Sequence, residues 1–310
     1  LACLALVTAA FGAQQKFDPV RGVTDPGVVV TRQNITPAGV QSIFDSRVYG
    51  VAFGATSAEV WALSANRIVA LDWRANRLLT SLPIGTRATP APRQRADDPE
   101  INASPGFTGK PGLQGLAVDE RGRPYFTAAA AGEVRLLTVE GDAARTVAGK
   151  LGAQVTGTIA LAPRKNATGQ RLAIVPIIAK NVAAVVDVEA GRLLASVPTG
   201  LAPVGAAINA AGTIAYVSNW AGRLPQPGDQ TAPTGLAEDA DRVVIDRRGI
   251  AATGTLTKID LGTLRPIGTV AVELHPTALA WDEARGRLYV ANGNSDSVAV
   301  VDTQTDRVRQ

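Results

Sequence analysis

The sequence predicts an all-β protein, a β-propeller built from four-stranded antiparallel blades. Runs of four to six residues, rich in β-branched side chains and bounded by Gly, Asn or Asp, are typical of strands joined by tight turns. The runs recur in units of about 40–45 residues, which is the period of propeller blades. Helical periodicity is absent over any long stretch, and the 31 glycines and 19 prolines favour turns over helices.

The last unit is the most complete and shows the strands in order. They are predicted at 275–282, 287–292 and 297–302, with a fourth beginning at 307–308. Upstream units carry the same pattern within 51–72, 115–137, 159–187 and 205–260, which makes about five blades. A propeller closes only when its first and last blades pair, so we expect these five to belong to a larger ring.

The predicted domain organisation has three parts. Residues 1–13 are a truncated signal peptide, 14–49 an entry segment, and 50–310 an incomplete propeller with insertions at 87–110 and 219–253. Within the entry segment, the apolar run at 28–31 is a candidate strand for completing the last blade. Because an open ring leaves two blade faces uncovered, we expect the isolated chain to be poorly soluble or oligomeric.

The first ten residues are apolar and are followed by small and then polar residues, as in a secretory signal. Cleavage could follow Ala10, Gly12 or Ala13. The prediction is export to the periplasm or the extracellular space. Two alternatives remain open: a lipid anchor at Cys3, or an ordinary apolar N-terminus. A membrane-spanning helix would need about 20 such residues, so no transmembrane span is predicted.

Composition excludes several kinds of site. The single cysteine and the single histidine rule out an intramolecular disulfide, a cysteine-built metal site and a histidine-paired zinc site within one chain. The net charge of +4 is too small to indicate nucleic-acid binding. No nucleophile elbow, phosphate-binding glycine loop or haem-attachment motif is present, so we predict no catalytic residue, cofactor or metal.

An aspartate ends the third strand of most units. Because a residue that recurs with the blade period serves the blade itself, these side chains are expected to cap backbone amides in the following turn. They are Asp72, Asp187, Asp260 and Asp302.

The strand pair 287–292 and 297–302 resembles the YVTN-type repeat of YncE-like β-propellers. The segments at 36–39, 217–223, 227–229, 243–246, 249–250 and 254–255 are similar to a subgroup of that family. In that subgroup an exported propeller precedes an alkaline-phosphatase-superfamily phosphoesterase, and the resemblance implies a seven-bladed ring. This chain departs from the pattern, since the later blades and the phosphoesterase half are missing. No residue here can therefore carry that activity.

Five residues are candidates for a ligand site or an interface: His275, Asn219, Trp220, Arg223 and Asp229. His275 opens a blade and could face a ligand in the central channel, or it could simply begin a strand. Asp229 and the other carboxylates of its insertion could hold a hard cation, or they could pair with nearby arginines. Trp220 beside Arg223 could anchor a partner or cover a blade edge, with Asn219 shaping the same surface. The first insertion, which contains Phe107, is expected to be a solvated loop.

These observations favour an exported, non-catalytic binding or scaffold module. Its partner would be another protein or a catalytic domain fused to it. The alternative function is the accessory propeller of a metal-dependent phosphoesterase whose catalytic domain is absent from this chain. A third option is a propeller that binds a small molecule near His275. Fold alone does not decide among them.

Overall fold

The computed structural model describes residues 20–21, 41–44, 46–65, 67–84, 109–130, 133–152, 155–235, 238 and 240–309. The chain divides into two compact units, Leu1–Asp45 and Ser46–Gln310. In the first unit, β1 (Val20–Arg21) pairs antiparallel with β2 (Ser42–Ile43). The predicted signal peptide, the candidate strand at 28–31 and residues 87–108 of the first insertion lie outside the described residues. No helix in the described ranges is long and apolar enough to cross a membrane.

The second unit contains five four-stranded antiparallel sheets, numbered here as blades 1 to 5. Blade 1 comprises β3 (Val48–Phe53), β4 (Glu59–Ser64), β5 (Arg67–Asp72) and β6 (Arg77–Pro83); blade 2 comprises β7 (Gly109–Val118), β8 (Pro124–Ala130), β9 (Glu133–Glu140) and β10 (Ala143–Ala148); blade 3 comprises β11 (Ala160–Leu161), β12 (Leu172–Ile177), β13 (Val182–Asp187) and β14 (Arg192–Pro198). Blade 4 begins with β15 (Leu201–Ile208) and β16 (Ile214–Gly222), is interrupted by the hairpin β17 (Thr231–Pro233) and β18 (Arg242–Val244), and ends with β19 (Gly254–Asp260) and β20 (Arg265–Val272); blade 5 comprises β21 (Pro276–Asp282), β22 (Arg287–Asn292), β23 (Ser297–Asp302) and β24 (Val308–Arg309). The predicted all-β fold and its four-stranded blades are confirmed.

The turns between third and fourth strands have the same local structure in four of the five blades. Asp72 accepts hydrogen bonds from the amides of Arg74 and Ala75, at 3.1 and 2.9 Å. Asp187, Asp260 and Asp302 make the same kind of contact in their own blades, as predicted. Four residues after each aspartate the backbone is left-handed, with φ between 53° and 68°. The carboxylate and the left-handed residue together fix a tight turn, and the residues in that position are Asn76, Gly191, Leu264 and Asp306.

The hydrophobic core lies between the blades. We call the sheet side that contacts the following blade the forward face, and the opposite side the back face. Trp61, Ile68 and Leu82 on the forward face of blade 1 pack with Leu116 and Phe126 of blade 2. Equivalent clusters join blades 2 and 3, 3 and 4, and 4 and 5. Successive side chains of a strand point to opposite faces of the sheet, and each face of an inner blade packs against a neighbouring blade. The inner strands are therefore apolar on both faces.

Ion pairs and hydrogen bonds also join neighbouring blades near the ends of the sheets. Arg171 of blade 3 places its Nη1 3.2 Å from Asp119 Oδ2 and its Nη2 2.5 Å from Glu120 Oε2, both in blade 2. At the junction of blades 4 and 5, Asp306 accepts a 2.9 Å hydrogen bond from Lys258 Nζ and a 2.5 Å hydrogen bond from the Tyr216 hydroxyl. Each contact joins residues far apart in the chain, so it forms only when the blades are stacked.

The first strand of each blade lies nearest the common axis, since these strands contact one another in sequence: β3 with β7, β7 with β11, β11 with β15, and β15 with β21. Within the described ranges no comparable contact joins β21 back to β3. The five blades therefore form an open arc.

Candidate functional site

Strand direction places both predicted insertions at the same rim of the arc. In every blade the first and third strands begin, and the second and fourth strands end, at one rim, which we call the upper rim. The insertion in blade 4 leaves from the end of β16 and returns at the start of β19. The connection between blades 1 and 2 leaves from the end of β6 and returns at the start of β7. The aspartate-capped turns occupy the opposite, lower rim.

The insertion in blade 4 is shorter than predicted, because β16 continues to Gly222. The insertion therefore runs from 223 to 253, and Asn219 and Trp220 belong to the sheet. Its hairpin is fixed to the upper rim: Val243 packs with Leu201 and Ala221 in an apolar cluster. Asp241 accepts a 2.7 Å hydrogen bond from Asn181 Nδ2, between β12 and β13 of blade 3. The hairpin strand β18 and the residue before it are thus held against blades 3 and 4 at this rim.

Trp220 and His275 form a half-exposed aromatic pair at the upper rim, where blades 4 and 5 meet. Their ring centroids lie 4.7 Å apart with the planes tilted by 45°, and Trp220 keeps 44% of its surface exposed. His275 directly precedes β21, so it stands at the upper end of the innermost strand of blade 5. Its backbone is left-handed, with φ of +53°. A side chain larger than glycine is strained in that conformation, so packing and the hydrogen bond from Gly293 N to His275 O hold it there.

Arg223 and Asp229 close the first turn of the insertion. The guanidinium donates two hydrogen bonds, from Nη1 at 2.6 Å and from Nη2 at 2.8 Å, to the two carboxylate oxygens. The amide of Gln226 donates a third, at 2.6 Å. The Arg223 guanidinium and then the Gln226 amide lower the pKa of Asp229 to about 2. This carboxylate is therefore occupied by an arginine, the second of the two alternatives. The turn leaves Leu224 exposed beside it.

Asn219 does not shape the surface, and that prediction was wrong. The residue is fully buried within blade 4, where its Nδ2 donates to the hydroxyls of Thr255 and Thr257, both at 3.0 Å. A Cβ at Gly200 would lie 2.7 Å from that Nδ2, so only glycine fits beside the amide. Asn292 is buried at the matching position of blade 5. This recurrence is the signal that would have identified Asn219 as a blade residue, by the reasoning applied to the aspartates.

Four of the five predicted residues form two pairs in the structure. Trp220 contacts His275, and Arg223 forms hydrogen bonds with Asp229. No group of three or more His, Cys, Asp or Glu side chains in the described part of the chain is arranged to hold a metal ion. Among the described residues of the insertion, Asp246 also forms an ion pair, with its Oδ2 2.8 Å from Arg248 Nη2. What the rim offers is an ordered apolar and aromatic surface suited to binding.

Comparison with known proteins supports the propeller fold. No family model matches the sequence, and no curated protein matches it. Among solved structures, the chain is similar to the Dos1 propeller, with a TM-score of 0.52 and 8% identity over 91% of this chain and 60% of that one. It is also similar to Kuenenia stuttgartiensis hydrazine synthase, with a TM-score of 0.55 and 11% identity over 86% of this chain. A chain of the mitotic checkpoint complex gives a TM-score of 0.55 and 11% identity over 99% of this chain and 73% of its own length. The chain thus spans 60% and 66% of the first two relatives, and the likeness concerns the fold alone.

Proposed function

We propose that the protein is an exported, non-catalytic binding module whose upper rim docks a protein partner. The observation that carries the proposal is the half-exposed Trp220 ring, held against His275 beside the ordered insertion of blade 4. Tryptophan is enriched among the residues that dominate binding energy at protein interfaces, because it offers a large rigid surface with a polar edge.

The surroundings of Trp220 favour a binding role over a purely structural one. The Trp220 ring is held by its contact with His275, whose backbone is fixed by the hydrogen bond from Gly293 N to His275 O. The insertion is fixed by Asp241 and Val243, and its first turn by Arg223. A surface that is already ordered loses little conformational entropy when a partner binds, which raises the affinity that its contacts can supply.

Export rests on the apolar run at residues 1–10, which has the character of a signal peptide. Fractionation of cells that make the natural protein tests this part: we expect it outside the cytoplasm, and recovery with cytoplasmic enzymes would contradict it. Association with a phosphoesterase stays a prediction, since no observation on the described residues favours it.

The docking surface can be tested with a matched pair of tryptophan variants. Trp73 is 45% exposed, close to the 44% of Trp220, but it lies in a lower-rim turn of blade 1. The purified protein is chemically cross-linked to the exported protein fraction of its source. Each recovered candidate partner is then purified, and its affinity is measured with Trp220→Ala and with Trp73→Ala. We expect Trp220→Ala to weaken binding by about tenfold or more, as a hot-spot truncation does, and Trp73→Ala to leave it unchanged. Equal binding by both variants would refute the upper rim as the docking surface.

A further inference from the structure

One buried asparagine of the blades is followed by a glycine. Asn292 ends β22 and Gly293 begins the turn to β23, and no other Asn–Gly pair occurs in the sequence. Such a pair is chemically reactive, because the backbone nitrogen that follows an asparagine can attack its side-chain amide carbon. Glycine has no side chain to hinder that attack. Asn219 occupies the matching position of blade 4, but the bulky Trp220 follows it.

The reaction replaces the side-chain nitrogen of the asparagine. The Gly293 nitrogen gives up its proton and forms a bond to the side-chain carbon of Asn292. The bond from that carbon to Nδ2 breaks, and ammonia leaves with the proton. Water then opens the cyclic imide at either carbonyl, which gives aspartate or isoaspartate. Water is the only co-reactant, so the step needs neither an enzyme nor an oxidant.

The folded structure opposes this reaction at several atoms. The Gly293 amide donates a 3.0 Å hydrogen bond to His275 O, so its nitrogen is not free to attack. Asn292 is 1% exposed, and it pairs with Pro276 on one side and with Ser297 on the other. Its Nδ2 donates a 3.3 Å hydrogen bond to Ser297 Oγ. The imide ring closes only when the side chain and the following peptide rotate towards each other, and the strand pairing prevents that rotation.

We propose that Asn292 is a deamidation site that is closed in the folded protein and opens with the β22–β23 hairpin of blade 5. The turn that joins the two strands is largely exposed, with Gly293, Asn294 and Asp296 open to solvent. Exposed hairpin ends open locally at a lower free energy than the whole protein unfolds. Each opening frees the Gly293 nitrogen and the Asn292 side chain together.

The reaction product does not fit the position that the amide occupied. The Ser297 hydroxyl already donates its proton to the Glu273 carboxylate, so it has none to donate to a carboxylate at position 292. The new negative charge would be buried without that hydrogen bond and near Glu273. Isoaspartate also lengthens the backbone and disturbs the register between β22 and β23. The modified chain should therefore close blade 5 less firmly, which makes the change self-reinforcing.

The experiment compares deamidation of the full chain in native buffer and in guanidinium chloride, at the same pH and temperature. Peptide mapping by mass spectrometry locates the modified residue, and an isoaspartyl methyltransferase assay detects isoaspartate. We expect Asn292 to react at least about tenfold more slowly in the native chain, which corresponds to an opening free energy of about 1.4 kcal/mol or more.

Two controls test the chemistry of the site in denaturant. Asn219 should react far more slowly than Asn292, because a tryptophan follows it. Gly293→Ala should slow the reaction at Asn292 for the same reason. A Cβ at Gly293 would lie 3.6 Å from His275 O, so alanine also fits the folded chain.

A matched pair of core variants tests whether the opening is confined to blade 5. Val301 and Val186 are both 0% exposed, and each stands directly before the aspartate that ends the third strand, in blades 5 and 3 respectively. We expect Val301→Ala to speed native-state deamidation by about tenfold, the factor that corresponds to two buried methyl groups. Val186→Ala should leave the rate unchanged. Thermal melting checks that both variants are folded at the assay temperature.

Three outcomes would overturn the proposal. Equal rates in buffer and in denaturant would show that the fold does not protect Asn292. A reaction at Asn292 no faster than at Asn219 in denaturant would show that Gly293 does not make the site reactive. Equal acceleration by Val301→Ala and Val186→Ala would show that the blades open together, and not blade 5 by itself.

Discussion

The ion pair between blades 2 and 3 provides the most demanding test of how the arc is held together. The Arg171 side chain is 9% exposed and that of Asp119 is 2% exposed, so the charges lie largely out of water. Removing one partner of a buried pair typically costs 3–5 kcal/mol, because the other charge is left unpaired. Glu120, whose side chain is 55% exposed, still contacts Arg171 and partly compensates. We therefore expect Asp119→Asn to cost about 3 kcal/mol, at the lower end of that range.

Asparagine is the informative replacement at position 119. Asp119 Oδ1 also accepts turn hydrogen bonds from the amides of Arg121 and Arg123, at 3.0 and 2.8 Å. The amide oxygen of Asn keeps these contacts while the negative charge is removed. The measured change then reports on the ion pair and not on the turn.

The assay is calorimetric melting of four proteins: wild type, Asp119→Asn, Arg171→Met and the double variant. For a unit of this size, about 3 kcal/mol corresponds to a melting temperature lower by roughly 6–12 °C. The double variant should be destabilised by clearly less than the sum of the single variants, with a coupling of about 1–3 kcal/mol, because no buried charge is then left unpaired.

Glu140 and Arg145 supply the control in blade 2. Arg145 Nε lies 2.5 Å from Glu140 Oε2. The Arg145 side chain is 54% exposed and the Glu140 side chain 67%. Glu140→Gln should cost less than about 1 kcal/mol, as exposed pairs usually do. The reasoning is refuted if Asp119→Asn melts within the range of Glu140→Gln, or if the two single changes add fully in the double variant.

Three further predictions follow from the other contacts. Burial, and then the hydrogen bond to Asp306, raises the pKa of the Tyr216 phenol above its ordinary value. Because the unfolded phenol ionises near pH 10 and the folded one only at higher pH, its contribution to stability is present below about pH 10 and is lost as the pH rises further. Melting of wild type should therefore fall more steeply than that of Tyr216→Phe above that pH. Arg223→Gln should raise the pKa of Asp229 from about 2 towards the ordinary value, which carbon NMR of the carboxyl group measures. His275→Gly should melt higher than His275→Ala, by about 1 kcal/mol in stability, because glycine accepts the left-handed backbone without strain.

Each of these predictions has an outcome that contradicts it. Parallel alkaline melting curves for wild type and Tyr216→Phe would show that the phenol titrates equally in the folded and unfolded chain. An unchanged carboxyl titration in Arg223→Gln would assign the low pKa to other groups. Equal melting of the two His275 variants would mean that the backbone relaxes to an unstrained conformation.

Much of the fold could be predicted because each blade is a local structure and its residue pattern recurs along the sequence. Third strands that end in aspartate, followed by a tight turn, are visible without tertiary information, and the structure confirms the turn contacts of Asp72 and Asp302. The error at Asn219 arose where a polar residue met an interruption of the repeat. The predicted insertion begins at Asn219, whereas β16 continues through this residue and pairs it with Thr255 of β19.

The candidate site was less predictable because its contacts are tertiary. Trp220 and His275 are far apart in the chain, and they meet only because β16 ends where β21 begins. The sequence also offered several arginines as partners for the carboxylates of the insertion. Only the folded turn shows that Arg223 reaches Asp229 with both of its terminal nitrogens. Neither fact follows from spacing or composition.

The difference between the two rims also determines where this fold can change length. At the lower rim a carboxylate and a left-handed residue fix the turn between third and fourth strands in blades 1, 3, 4 and 5, so an inserted residue there would break both features at once. At the upper rim, the link between second and third strands comprises residues 293–296 in blade 5 and residues 223–253 in blade 4, within sheets of the same four-stranded order. New segments can therefore be grafted between Asn292 and Ser297 in protein engineering, with the sheets below acting as an unchanged support.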